Sequence, residues 1–392
     1  MLRDIMDRLR HHHLTGVASG IVLFYAAATA TSYYALWRTL ASHSAVLLAA
    51  GLSGRVIVGL LLTPLLGALE DRWPRMARTN AFLGTLLLAA AGLPWGGRGV
   101  GLVVASILPI AAARVITQST PRLLSVDPVL SISTGYFTDL GKLAAALFLV
   151  GIALHPGVLT PLTFGLAIAS LLSMSRAHYA LHPDRGSPAA SESPLLAWGP
   201  RTWLIYAALL GLPALSGFTL DLIVSWAAAG EGTWLLAAAA GSASIAALLG
   251  TYVVQRREHF ALRHIARWQL VFYLGGTLIA FAGPVGAILG AGVVGLGAAA
   301  YWQPVRAMIW RRAPQALRGR IWAVATVAPG AVGIVGQNLL AAAYARFGIT
   351  SVRLVVPLVA GALALPSVVY LRRHLRVEVE AGLTGPGPSE AT

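Results

Sequence analysis

The stretch GALEDRWPRMAR, Gly67 to Arg78, decides how the chain is read. It sets two acids, Glu70 and Asp71, among three arginines, Arg72, Arg75 and Arg78. Apolar blocks near 44–69 and 77–95 flank it. Each is of about the twenty residues that carry a helix across roughly 30 Å of hydrocarbon. The stretch therefore reads as a tight basic loop between two membrane helices.

Working outward, the same alternation of apolar block and arginine cluster fills the chain. Of its 392 residues, 57% are hydrophobic and 11% charged, against about 25% charged in a soluble domain. Only helices or closed barrels satisfy the backbone in lipid, and the blocks lack the period-two alternation of a barrel strand. An all-α integral membrane protein follows. There is no cysteine, which excludes structural disulfides and thiol chemistry. The net charge of +15 is dealt out in short clusters between blocks, so it reads as topology control and not as a nucleic-acid surface. Richness in alanine, glycine and arginine suggests a GC-rich bacterial genome and hence a bacterial inner (plasma) membrane.

Twelve spans are expected, near 15–37, 44–69, 77–95, 99–119, 129–153, 157–176, 202–227, 232–254, 265–283, 285–310, 318–345 and 350–372. With the N-terminus in the cytoplasm, 21 arginines fall on inner segments and four (Arg38, Arg98, Arg346 and Arg353) on outer ones. This bias places both termini inside. Residues 1–14 form a cytoplasmic or interfacial segment, with Leu2, Ile5, Met6 and Leu9 on one helical face. The polar segment 177–201, rich in Pro, Ser and Ala, reads as a cytoplasmic linker. It divides a six-helix bundle at 15–176 from a second at 202–372, and 373–392 is a cytoplasmic tail. The halves resemble each other: Arg114 precedes Pro121 near the inner end of span four, and Arg306 precedes Pro314 near that of span ten. Two parallel repeats about an axis normal to the membrane are an architecture of secondary transporters.

The loop Gly67–Arg78 resembles the signature loop of the major facilitator superfamily. Gly67, Leu69, Asp71, Arg72, Arg75 and Arg78 match it; Pro74 stands where the family has glycine, and Met76 where a basic residue is common. APQALRGRIWAV, Ala313 to Val324, is similar to the stretch before span eleven in many members. The resemblance covers nearly the whole chain. It implies two pseudo-symmetric bundles that rock, a gating loop built on Gly67, Asp71, Arg72 and Arg75, and a cavity lined by spans one, four, seven and ten. It further implies that Asp71 faces the positive N-terminal end of span eleven as a breakable latch. The alternative is that Asp71 only offsets loop charge.

Charges inside the spans are the sharpest functional signal, because an ion at mid-membrane costs several kcal/mol. They are Asp139 and Asp221 among the acids, and Arg55, Arg114, Lys142 and Arg306 among the bases. Lys142 is the sole lysine; the other 28 basic residues are arginines. Asp139 and Lys142, three apart, share a helix face and can neutralise each other. The pair is either structural or a proton-responsive switch, since lysine and aspartate change charge on burial where arginine does not. By the family's geometry Asp221 looks onto the substrate path, and Arg55 needs a counter-ion from Asp139 or Asp221. Arg114 and Arg306 lie nearer the inner ends, where snorkelling is open to them.

Aromatic and neutral polar groups on cavity helices suit an amphipathic ligand: Tyr25 and Thr29 in span one, Tyr301, Trp302 and Gln303 in span ten, Gln337 and Asn338 in span eleven. Tyr33 and Tyr34 read as an interfacial aromatic belt. No histidine lies near mid-membrane and no P-loop is present, so neither a haem or metal centre nor ATP-driven transport is expected, and no cofactor. The expectation is a monomeric, non-enzymatic secondary transporter in the bilayer, exporting a small amphipathic drug or metabolite against protons. Alternatives are an importer of a small organic solute in the same fold, and a non-transporting sensor or scaffold.

Overall fold

The computed structural model describes residues 2–42, 44–73, 76–93, 99–124, 130, 134–175, 224, 231–256 and 262–312, with isolated positions from 338 to 347. Among these residues the chain is helical without strands. Ten helices are described: α1 Leu2–His11, α2 Thr15–Ala41, α3 Ala45–Arg72, α4 Met76–Ala91, α5 Val100–Leu123, α6 Thr134–Leu154, α7 Leu159–Ser175, α8 Thr233–Arg256, α9 Leu262–Ala280 and α10 Pro284–Arg312. Nine of them coincide with expected spans one to six and eight to ten. Span twelve, the linker 177–201 and the tail 373–392 lie outside the described residues, as do nearly all of spans seven and eleven. Among the described residues, five stretches are long and apolar enough to cross a membrane: Thr15–Thr39, Ala49–Glu70, Val100–Thr120, Thr134–Ile152 and Thr233–Val253.

The helix ends follow local chemistry. Ser44 caps α3, its side chain accepting the amide of Leu47 at 3.3 Å, which satisfies one of the donors a helix start leaves open. The split between spans nine and ten falls at Gly283, whose φ of 103° suits a residue without Cβ. There α9 stops and α10 starts at Pro284, a favoured first helical residue.

In the first half α2 is the hub, packing on α5, α6 and α7, while α5 also packs on α3 and α4. In the second half α10 packs on α8 and α9 as α5 packs on α3 and α4. The same pairwise scheme thus recurs, as two repeats require. Polar groups of α2 and α7 are matched across their contact. Thr31 bonds Thr163 at 2.9 Å, and Ser170 donates to the Gly20 carbonyl at 2.7 Å, tying α2 to α7.

Protein covers part of two apolar faces that were read from sequence as interfacial. Helix α1 is amphipathic as expected, with Asp4–Arg8 paired at 3.1 Å. Ile5 and Leu9 are sealed into the first core with Val17, Ala77 and Leu124, while Met6 of the same face is exposed. Tyr33 and Tyr34, read as an aromatic belt, are partly buried against a second core. That core joins Ala30 of α2 and Ala145, Ala146, Leu149 and Ile152 of α6 to Leu235, Leu236 and Ala240 of α8. The expected halves are thus packed together along α6 and α8.

At Gly141, α6 comes closest to α2. A Cβ there would sit 2.6 Å from the Val22 carbonyl and 2.7 Å from Tyr25 Cβ, contacts that force the helices apart. Gly151, one face away on the same helix, has open space. Gly141→Ala is expected to cost about 1–3 kcal/mol, read as a lowered thermal unfolding midpoint in detergent, with Gly151→Ala as the unperturbed control. Equal midpoints for the two variants would refute the close α2–α6 contact.

Candidate functional site

Helix α6 shows which way its charges face. Leu140, Leu147, Gly151 and Leu154 form an exposed apolar stripe, the surface expected against lipid. Lys142 lies roughly 160° around the helix from that stripe, on the side of Ala145, Ala146 and Leu149, which are buried. Even so, the Lys142 side chain is 45% exposed, against 11% for Asp139. That exposure lies on the side of the helix away from its apolar stripe. One turn further along, Ala146 meets Gly241 of α8 at the position of its absent Cβ, 3.5 Å away. The ammonium therefore sits beside the seam between α6 and α8.

Asp139 and Lys142 are joined at 3.2 Å. In α2, Tyr25 is buried and its hydroxyl bonds Thr117 of α5. Thr117 spends its own hydrogen on the Ala113 carbonyl at 2.6 Å, so Tyr25 is the donor in that bond. Arg114, one turn from Thr117, interacts with Tyr25 electrostatically. Gly141, beside Lys142, rests on Tyr25. Counted along their helices, Asp139, Lys142, Tyr25, Thr117 and Arg114 all lie roughly 8–15 Å from the arginine-rich end. Helices α2, α5 and α6 thus bring the two titratable groups and a fixed guanidinium to one depth.

Arg55 is 3% exposed. Its Nε donates to the Ser106 carbonyl at 3.0 Å and its Nη2 to the Ser32 carbonyl at 3.1 Å. Backbone oxygens of α5 and α2 thus receive part of the charge, while the Asp139 carboxylate is engaged by Lys142. The sequence reading looked only to carboxylates and had no means of seeing the carbonyls.

Of the gating loop, Gly67 is buried in α3, and the Arg72 guanidinium lies 4.9 Å from the Trp73 ring. Asp71 ends in the last turn of α3, but its side chain, like all of Arg75, lies outside the described residues. The acid that sequence reading passed over is Glu70. It is 1% exposed, and its Oε1 receives Asn80 Nδ2 of α4 at 2.8 Å and the Ser119 hydroxyl of α5. Its place inside a charged motif disguised it as a surface residue.

Among the remaining cavity candidates, Thr29 is half-buried in α2. Tyr301, Trp302, Gln303 and Arg306 belong to α10, with side chains outside the described residues, as are Gln337 and Asp221 entirely. Asn338 accepts a hydrogen bond from Ser53 of α3 at 3.0 Å, across 285 residues of sequence. Ser53 lies roughly 28 Å along α3 from the arginine-rich end, well beyond the depth of Lys142.

By sequence, the chain matches no family model and no curated protein. By structure, it is similar to a variant of the nucleoside transporter NupG, with a TM-score of 0.64 at 14% identity over 91% of this chain and 99% of that one. It is also similar to the human organic anion transporter MFSD10, with a TM-score of 0.58 at 15% identity over 92% and 99%. Both neighbours are members of the major facilitator superfamily. The helix order, the recurrent packing scheme and these likenesses agree that the chain has the fold of the major facilitator superfamily transporters.

Proposed function

We propose that the chain is a secondary active transporter that works by alternating access, exporting a small amphipathic molecule in exchange for protons. The observation that carries this reading is the half-exposed Lys142, paired with Asp139 on the protein-facing side of α6. An ion pair at that depth is retained against a cost of several kcal/mol. A proton arriving at Asp139 removes its charge and releases Lys142, so proton binding and a change of contacts become one event. Asp221 is the second proton-carrier candidate. The two structural neighbours are a nucleoside and an organic anion transporter by name, which supports a small-molecule substrate. The setting we propose is a bacterial inner membrane, with the protein monomeric and both termini cytoplasmic.

The contacts between the halves support a conformation closed at the outer side. Ala30, Leu149 and Ile152 join the second core toward the end away from the arginines, and the Ser53–Asn338 bond spans the halves at that level. Lys142 and Asp139 lie on the other side of this closure. In the loop, Asp71 serves as the latch of the inner gate, as the resemblance implies.

Transport in proteoliposomes under an imposed pH gradient tests the coupling. Asp139→Asn and Asp221→Asn are expected to lower uphill accumulation roughly tenfold, the equivalent of about 1.4 kcal/mol, while leaving exchange along the substrate's own gradient. If both variants accumulate substrate uphill as the wild type does, the coupling assignment falls; accumulation driven inward with protons would select the importer. Asp71→Asn is expected to keep expression and thermal stability and to slow transport about fivefold to thirtyfold, the rate equivalent of 1–2 kcal/mol. An unaltered rate in a well-expressed variant removes the latch.

The outer closure has its own test, made clean by the absence of native cysteine. Ser53→Cys with Asn338→Cys, bridged by a short thiol cross-linker, is expected to stop transport until the bridge is cleaved. Full transport by the bridged protein would show that this contact does not open during the cycle.

A further inference from the structure

Glu70 is the most deeply buried carboxylate described, and the transport cycle above makes no use of it. A buried carboxylate is costly unless its oxygens are hydrogen-bonded. Here the solution comes from two other helices. Asn80 reaches it from the second turn of α4, and Ser119 from the last turns of α5. The Ser119 hydroxyl also lies 3.1 Å from the Val115 carbonyl, so that its one hydrogen is shared between a helix bond and the clasp. Three helix ends therefore meet at a single oxygen, Oε1.

Glu70 sits in the last turn of α3, one residue before Asp71. The chain there is held tightly on both sides of the turn: the Trp73 amide bonds the Leu69 carbonyl at 2.8 Å, and the Met76 amide bonds the Trp73 carbonyl at 2.8 Å. Neighbouring helical positions are turned about 100° from each other, so positions 70 and 71 occupy different faces of α3. The face that carries Glu70 is committed to α4 and α5.

We propose that Glu70 is a positioning residue for the gating loop. Its carboxylate clasps the ends of α3, α4 and α5 into one block, so that the turn after α3 departs from a fixed helix end. The two adjacent acids thus divide the work: Glu70 supplies a fixed anchor and Asp71 the breakable contact. This rests on the reading of the loop as a gate, although the clasp itself does not.

The experiment compares Glu70→Gln, Glu70→Ala and Ser119→Ala in the full chain in nanodiscs and proteoliposomes. Glutamine keeps an oxygen that can accept both donors and drops the charge; alanine strands Asn80 and Ser119 without that acceptor. Two readouts are taken: amide hydrogen exchange across residues 66–80, and transport resolved into kcat and KM. The expected result is that Glu70→Ala and Ser119→Ala raise exchange about tenfold or more at the end of α3 and lower kcat with KM unchanged. Glu70→Gln is expected to stay near wild type in both. Wild-type exchange in Glu70→Ala and in Ser119→Ala overturns the clasp, and a Glu70→Gln as impaired as Glu70→Ala overturns it in favour of the charge. If Ser119→Ala, the milder change, loosens the loop but leaves kcat intact, the positioning role is overturned while the clasp stands. Absence of transport in the wild type would refute the transporter reading instead, and hydrogen exchange would still decide the clasp.

Discussion

Charge held away from water has to be met by protein, and the arrangement of the first half follows from how this chain meets that demand. Arg55 is received by backbone carbonyls of α2 and α5. Glu70 is received by side-chain donors of α4 and α5. Asp139 is received by an ammonium on its own helix. The first two solutions each engage three helices, and neither partner set can leave without stranding an ion in an apolar setting. They make α2, α3, α4 and α5 a unit. The third is local to α6 and half open, so it can be broken and remade without disturbing the packing around it. Rigidity and responsiveness in the same bundle thus come from the same physical cost, met in two different ways.

Under the proposed alternating-access mechanism, this contrast separates a lever from a switch. A lever must be stiff, and the stiff contacts cross between helices of one half. A switch must have two states of similar free energy, and the Asp139–Lys142 pair has the ingredients. Its partners lie one turn apart, and one is nearly half exposed. Arg114 beside Tyr25 adds a fixed positive charge at the same depth.

Much of this was legible in sequence because it is written in period and length. Apolar blocks of membrane-spanning length, arginine clusters between them and the glycine-proline step at 283–284 marked nine helices that the structure describes. The spacing of Asp139 and Lys142 was enough to pair them, since partners on one helix need no tertiary knowledge. Contacts between helices were another matter. That Arg55 would find carbonyl oxygens depends on the register of α5 and α2 against α3, which no local pattern encodes. Glu70 was missed for a sharper reason: a carboxylate within a run of arginines looks solvated, and only the approach of Asn80 and Ser119 turns it inward. Ile5 and Leu9 show the same limit. Their spacing announced an apolar face, and it could not say whether lipid or protein would cover it.

The seam between the halves is built from different material again. Ala145 and Ala146 of α6 face Ala237, Ala240 and Gly241 of α8, so the backbones approach closely with few side chains interlocked. In a membrane such small-residue contacts are held by van der Waals packing, without a hydrophobic drive that would lock them. Parting them exposes no buried charge. The hydrogen bond that crosses the halves, Ser53 to Asn338, joins two neutral groups that water can satisfy once they separate. An interface proposed to open repeatedly needs this character: close enough to exclude solute when shut, and cheap to part. Among the described residues the ions Arg55, Glu70 and Asp139 have their recorded partners inside the first half or on one helix, where the proposed rocking would leave them in place.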